Sequence, residues 1–311
     1  DVLCLDVAVL TDHDHWGMRP LAHTPELWER IRAQVAAFHE PGRFVTLPGY
    51  EWTSWLHGHR HVLYFADHGE VHCSVEPATA HPEQLWEALR GRPALTFAHH
   101  SAGGPIATNW EIPPDPELEP VTEIASVHGS SEAMDSPDVI YSPVPGNFVR
   151  DVLDKGYRLG FVGSGDSHDG HPGLAQIAGN TSGLAAILSD ELTREGVLEA
   201  LRARRVYATN GPRIVLDVRL GQWPMGSLVP ASELTRPDSL ELGVVVAAPQ
   251  PIARIEIVHG GKIVSTEEGS GRRHLAGVLE APRLEPGDYL YLRVLQDDGG
   301  AAWSSPFFVT E

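Results

Sequence analysis

Apolar and polar positions in the first two thirds of the chain alternate in short runs that close on the same few residue types. Leu5 to Leu10 reads as a strand ending in Thr11-Asp12-His13-Asp14-His15. Thr24 then offers an N-cap and Pro25 the first helical position, with Leu27, Ile31, Val35 and Phe38 as one apolar face and Pro41-Gly42 as the stop. Phe44 to Leu47 predicts a second strand that delivers Gly49-Tyr50-Glu51-Trp52. Gly58-His59-Arg60-His61 leads into a strand from Val62 to Phe65, and a helix from Glu83 to Leu89 precedes a strand from Ala94 to Ala98 that ends in His99-His100. The Pro/Asp/Glu-rich run from Ile112 to Pro120 reads as an exposed loop. Val121 to Val127 ends at His128, and a helix from Asn147 to Lys155 is stopped by Gly156. The apolar run Leu159 to Val162 opens into Gly163-Ser164-Gly165-Asp166-Ser167-His168-Asp169-Gly170-His171-Pro172-Gly173. A strand from Leu184 to Leu188 and a helix from Arg194 to Arg204, capped by Thr193, follow. Six or seven strands, many alternating with helices, predict parallel βα units with their chemistry at the strand ends.

From about Pro212 the texture changes. Ile214 to Leu220, Leu240 to Ala247, Ile252 to Val258, Tyr289 to Leu295 and Ser305 to Val309 are short strand patterns separated by Gly/Pro/Asp turns, with no helix signal between them. They predict an antiparallel β-sandwich over 212–311. Gly260-Gly261, set between Ile252 to Val258 and Ile263-Val264, signals a hairpin.

Charge removes several function classes. The 311 residues carry 23 basic and 42 acidic side chains, a net charge of −19, so a basic footprint for nucleic acid or an anionic membrane is missing. Cys4 and Cys73 are too few for a disulfide framework. The sequence opens at Asp1 without a signal-like segment, so its native start is expected upstream, and a cytoplasmic location is the default expectation. Histidine usage changes the picture most: 15 of 17 lie between His13 and His171, and only His259 and His274 lie beyond. That asymmetry points to a metal-rich first part and a metal-free last part.

A lone Asp-x-His such as Asp166/His168 is more often a polar turn than a ligand pair. Here the same residue types recur, most of them just after a strand: Asp12, His13, Glu51, His99, His100, His128, Asp166 and His168, with His59 and His61 as exceptions that come just before one. Mixed imidazole and carboxylate donors suit Zn, Mn or Fe, and a glutamate can bridge two ions. Bland alternatives stand beside several of them. His61 can simply face the interior, one of His99 and His100 can support a ligand without being one, and Asp12 can orient His13. Arg60, Lys155 and Arg158 are candidate phosphate partners, with surface solvation the plainer reading. Neither a P-loop nor a G-x-S-x-G elbow is present.

Thr11-Asp12-His13, Gly49-Tyr50-Glu51, the His99-His100 pair and Gly165-Asp166-Ser167-His168 resemble the PHP (polymerase and histidinol phosphatase) metallohydrolase family. The stretches Glu123 to Glu132, Tyr207 to Ile214 and Ala302 to Pro306 are similar to its CehA/McbA-type branch, so the resemblance covers nearly the whole chain. It implies an α/β fold, a distorted (β/α)7 barrel over 1–211 holding two or three divalent metal ions, followed by the all-β sandwich over 212–311. It also implies that Glu51 bridges two metals, with Asp166 on the first. His59 and His128 would hold the second, with a contribution from His99 or His100, and His13 and His168 the third. Glu51, Asp166 and His168 are the implied catalytic residues. The family's opening H-x-H strand has no counterpart before Leu5-Asp6-Val7, which again predicts a native start upstream. The implied activity is metal-dependent hydrolysis of a small-molecule ester, foremost a phosphate mono- or diester through a metal-activated water. Carboxylic or carbamate aryl esters are the alternative, and a catalytically degenerate binding module the second alternative.

Overall fold

The computed structural model describes residues 4–168, 170, 173, 182–235 and 240–311. Strands predominate. In chain order they are β1 (Val7–Val9), β2 (Val45–Leu47), β3 (Gly49–Trp52), β4 (Arg60–Tyr64), β5 (Ala94–Ala98), β6 (Val121–Ser126), β7 (Gly129–Ser130), β8 (Gly160–Gly163), β9 (Leu184–Ile187) and β10 (Val206–Thr209). Four α-helices accompany them among the described residues: Pro25–Phe38, Pro82–Leu89, Val149–Asp154 and Arg194–Arg202. The result is a mixed α/β fold of many sheets, and no described helix is long and apolar enough to cross a membrane.

Local chemistry explains most element ends. Pro25 occupies the first helical turn as expected, but Thr24 makes no side-chain cap bond. The buried face of that helix is Trp28, Ile31 and Val35, whereas Phe38, expected inside, is exposed at the last turn, where the chain leaves the core. Helix Pro82–Leu89 is capped by His81, with Gln84 returning to the cap's own N–H. The Thr193 hydroxyl accepts from Gly196 N at 3.0 Å. The run 112–120 is only partly exposed: Leu118, Glu119 and Pro120 are buried, and Glu119 takes Arg60 at 3.0 Å.

The expectation of parallel units holds for β1 with β2 and for β6 with β8. It fails in between, where β4 runs antiparallel to both β3 and β5. The connection from β3 to β4 is the short loop 53–59, and a parallel return needs a crossover of about a dozen residues or more. β4 must therefore double back. The hydrogen bonding is divided into three groups, β1–β2, β3–β4–β5 and β7–β6–β8; β5 lies beside β6, and β8 beside β9 and β10.

The remaining strands are β11 (Val215–Leu220), β12 (Trp223–Pro224), β13 (Leu228–Pro230), β14 (Glu241–Ala247), β15 (Ile252–His259), β16 (Lys262–Glu268), β17 (His274–Glu280), β18 (Tyr289–Gln296), β19 (Ala301–Ser304) and β20 (Phe307–Thr310). β12–β11–β14–β17 form one sheet. In β11 and β14 alternate residues are buried, the mark of a sheet with one face on a core. Leu216, Val218, Val244 and Val246 meet Ile255, Ile257, Leu292 and Phe307 of the second sheet in that core. Gly260 and Gly261 join β15 to β16 with φ of +50° and +72°, the two left-handed residues a type I′ hairpin demands. The second sheet does not stop at residue 212. Its order β13–β20–β18–β19–β10–β9 carries it into the first part of the chain.

A buried ionic junction adds to that continuity. Arg293 on β18 contacts Glu256 at 2.6 Å, Glu132 at 3.0 Å and Asp135 at 3.2 Å, and Arg150 reaches Glu132 at 2.6 Å. Burial raises the Glu132 pKa, but Arg150 and Arg293 outweigh it and hold the carboxyl below its usual range.

Candidate metal centre

The interior face of β4 and its neighbours changes character over one layer. Along β4, Leu63, His61 and His59 share a face because side chains alternate. Phe97 is followed by His99 on the β5 side, and Val121 by Glu123 on β6. Leu63, Phe97 and Val121 belong to one apolar cluster with Val45, Leu47 and Val162. One step further the same face carries only ionisable groups. Glu51 pairs directly with His61 across β3 and β4, which puts their side chains on one face. Arg60 points the other way, fully buried against Glu119 between the Trp52 and Trp86 rings. It therefore cannot serve as a phosphate partner.

The reversal of β4 also accounts for His59 and His61, the exceptions to the strand-end pattern. His59 precedes its strand, yet the start of an antiparallel strand lies at the end of its neighbours. The His59 carbonyl accepts from His99 N at 3.1 Å. His59 Nδ1 lies 2.7 Å from Glu51 Oε1 and 3.1 Å from His100 Nε2. His99 Nε2 lies 3.3 Å, and His128 Nε2 2.6 Å, from Asp166 Oδ2. His99 Nδ1 is 2.8 Å from both oxygens of Glu123. An ionised carboxylate only accepts, so the proton sits on Nδ1 and Nε2 is turned to the cluster. Ser164 also donates to Glu123.

Among the described residues, four overlapping groups have donor atoms within 4.8 Å of one another: His99/His100/His128, Glu51/His59/His100, His61/His99/Glu123 and Glu51/His99/Asp166. Several of these donors are buried and lack a hydrogen-bond partner among the described residues: Glu51 Oε1, His59 Nε2, both nitrogens of His61, His100 Nδ1 and Asp166 Oδ2. Glu51 Oε1 and Asp166 Oδ2 approach ring nitrogens closely without hydrogen-bond alignment. An unpartnered buried polar group costs about 1–3 kcal/mol, so several converging on one place call for a shared electrophile. The donor set fits divalent metal ions.

Charge agrees. Burial raises the Glu51 pKa, but the His59 contact and the His99, His61 and His13 rings hold it far below the usual carboxylate range. Asp166 is likewise held far down by His99 and His128 against burial. Burial and then His99 push His61 to about 4, and burial with His99 and His59 drives His100 lower still. Burial would lower His99 too, but Glu123 and Asp166 reverse the effect and raise it well above the ordinary value. Ionised carboxylates beside the neutral His61 and His100 imidazoles are what divalent metals take, and His99 must release its Nε2 proton before that nitrogen can ligate.

Backbone strain gathers here as well. His100 and Asp166 hold φ of +38° and +46°, conformations that cost roughly 1–3 kcal/mol for residues with a side chain. The strain in the Gly163–Gly165 turn thus falls on Asp166 itself. Gly163 is needed for close approach, since a Cβ there would meet Leu184 O at 2.6 Å.

The structure brings Glu51, His59, His99, His100, His128 and Asp166 together. His13 stands at the edge: its Nδ1 bonds Thr53 Oγ1 at 2.8 Å and lies 3.4 Å from Glu51 Oε2. Asp12 is exposed and does not orient His13, a task Thr53 takes. His168 stands at the rim, its Nδ1 2.9 Å from the Asp166 carbonyl and 3.7 Å from Asp166 Oδ1, its ring 6.4 Å from that of His128 and its side chain 63% exposed. Among the described residues no ring contact joins His13 to His168, and His171 lies outside them.

The family described as Protein of unknown function (DUF3604) matches residues 8–138 and 173–225, more than half of the chain. The chain belongs to the DUF3604 family. An uncharacterized protein of Chlamydia pneumoniae is 31% identical over 310 residues, covering 92% of this chain and 50% of that protein. An uncharacterized protein of Chlamydia trachomatis serovar D is 28% identical over 320 residues with the same coverage. The chain thus spans about half the length of the curated relatives it matches. A solved two-domain protein from Bacteroides vulgatus, titled as containing a predicted PHP-like metal-dependent phosphoesterase, is similar with a TM-score of 0.46 and 13% identity, covering 97% of this chain and 86% of that one.

In this DUF3604 protein the residue that strand-end reasoning misses is Glu123. It lies inside β6, all six residues of which are buried. A charged side chain in a strand buried throughout is itself a signal, because it must find a partner. His61, a sequence candidate that could also simply face the interior, lies beside it: both its nitrogens are unpartnered among the described residues and its ring lies 4.4 Å from that of His99.

Proposed function

We propose that this centre binds two or three divalent metal ions (Zn, Mn or Fe) and that the protein is a metal-dependent hydrolase of phosphate mono- or diesters. The observation that carries the reading is the convergence of unpartnered, buried imidazole and carboxylate atoms on one face of β3, β4 and β5. The resemblance of the Gly49-Tyr50-Glu51 and Gly165-Asp166-Ser167-His168 motifs to the PHP metallohydrolases supports the reaction class, and the side-by-side order of the strand groups is compatible with a distorted barrel. Glu51 stands between the His59/His100 donors and the His99/Asp166 donors, which suits a bridging carboxylate. His128 adds to the Asp166 side, and His13 and His168 are left for a peripheral position.

Bound divalent ions supply a nucleophile at neutral pH and polarise the scissile ester. The chain's own residues do the rest. Glu51 and Asp166 stay ionised, His61 and His100 stay neutral, and Glu123 keeps the His99 proton on Nδ1. Glu51, Glu123 and Asp166 pair only with histidines among the described residues. An anionic phosphate would therefore meet its counter-charge in the metal ions and not in an arginine clamp.

Elemental analysis of the purified protein, combined with turnover of p-nitrophenyl phosphate, its bis ester and p-nitrophenyl acetate, tests the proposal. Phosphate ester turnover should vanish on chelation and return with metal, and Glu51→Gln should lose metal and turnover together. Turnover confined to the acetate would move the chemistry to carboxylic esters. Full metal content with no turnover of any ester would leave a binding module.

A further inference from the structure

We propose that Trp16 and Trp55 form an aromatic platform at the mouth of the centre that holds a flat ring in the alcohol portion of the substrate, a proposal that rests on the ester hydrolase reading above. Trp16 is 50% and Trp55 44% exposed, and both lie in connections between strands. Single exposed apolar residues are ordinary; these two are not single. Their rings meet edge to face at 5.6 Å, Trp16 lies 5.1 Å from the His13 ring, and Trp55 lies 5.6 Å from the His59 ring. His59 in turn contacts Glu51, so the platform is one ring removed from the donor cluster. On the other side of the cluster, half-exposed Tyr141 lies 5.5 Å from His128.

Packing separates this pair from the other tryptophans: Trp28, Trp52, Trp86, Trp110 and Trp303 sit in buried core clusters and Trp223 packs against one. Trp28, Trp52, Trp86 and Trp110 each donate Nε1–H to a protein acceptor. Trp16 and Trp55 hydrogen-bond to nothing among the described residues, and neither enters a core cluster. Two large rings held beside an ionic centre, with neither packing nor hydrogen bonding to explain them, fit a ligand with one apolar face. Aryl and nucleoside esters share that chemistry.

The test compares phenyl phosphate, a nucleoside monophosphate and glycerol phosphate in manganese-loaded wild-type protein, Trp16→Ala, Trp55→Ala, the double variant, and the Phe substitutions. Elemental analysis runs on each. Aromatic pairs contribute about 2- to 10-fold each. The preference for a ring ester over glycerol phosphate in kcat/KM should therefore fall by about 4- to 100-fold in the double Ala variant, and the Phe variants should recover most of it. Which ring ester loses more tells aryl from nucleoside substrates. Separately, phenylphosphonate should quench tryptophan emission of the zinc-loaded protein, and Trp16→Phe/Trp55→Phe should abolish that quenching. Parallel losses on ring and non-ring esters, or loss of metal along with them, would overturn the platform. So would failure of phenylphosphonate to quench. Quenching that depends on Trp16 and Trp55 in a protein that hydrolyses no ester would keep the platform and reject the hydrolase reading.

Discussion

Glu123→Gln isolates a charge from a shape. Glu123 Oε1 accepts from His99 Nδ1 and from His100 N at 3.1 Å, and Oε2 faces His99 and the Ser164 hydroxyl. A glutamine can keep its oxygen toward His99 and His100 and turn its amide to Ser164 Oγ. Packing and hydrogen-bond count then survive, and only the negative charge behind the imidazole is lost. Removing such a partner of a metal-binding histidine costs about 10- to 100-fold in affinity, equal to roughly 1.4 to 2.7 kcal/mol. In the metal-free protein the same change should lower the His99 pKa, since Glu123 is the foremost group raising it. The assay is competition for Zn²⁺ against a chromophoric chelator, with imidazole NMR titration of the metal-free protein. Affinity within threefold of wild type would make Glu123 a plain structural acceptor. A loss beyond about a thousandfold would make it a ligand in its own right. Either result refutes the argument that it acts through His99.

Two further outcomes follow from the ionic junction. Arg293→Met leaves Glu132 with Arg150 and Glu256 with the half-exposed Arg254, and removing one partner of a buried pair costs up to about 3–5 kcal/mol. With about 2.1 cal/mol/K of unfolding entropy per residue over 311 residues, the melting temperature should fall by up to roughly 5–8 °C; a shift under 1 °C in calorimetry would remove the junction from the stability account. Because the folded pKa of Glu132 is depressed, its stabilisation is present above the unfolded value of about 4.3 and is lost as pH falls through the folded value. Denaturant midpoints measured from pH 7 down to 3.5 should therefore fall less steeply in Glu132→Gln than in wild type, and equal slopes would show that this carboxyl does not drive acid unfolding.

What the sequence discloses follows from the range of its signals. The Gly260-Gly261 hairpin is local: two residues, both left-handed, between two strand patterns. The strand ends that carry Glu51, His99, His100, His128 and Asp166 are legible because hydrophobic runs stop where these residues begin. Strand direction is not, since alternation reads the same in both senses, and so β4 passes for a parallel strand and His59 for an exception. Glu123 escapes a search confined to strand ends because it lies within its strand. His168 stands two residues from Asp166, yet the left-handed backbone at Asp166 decides where the next side chains go, and spacing alone does not carry that information. The face of helix Pro25–Phe38 is rotated toward Trp28 for a similar reason: periodicity fixes a stripe, and the tertiary partner chooses its centre.

The reversed β4 has a consequence for how such a protein can change over time. Loop 53–59 begins after a buried Trp52 and ends on His59, whose carbonyl is tied to His99 while the adjacent Arg60 is locked to Glu119. Both ends of the loop are anchored by neighbouring strands, and Trp55 and Leu56 stand exposed between them. Lengthening a loop costs only about 0.6 kcal/mol per doubling. Residues can thus be added or exchanged around Trp55 while His59 keeps its place. The mouth of the centre can be rebuilt by insertion or exchange without moving the donor set behind it.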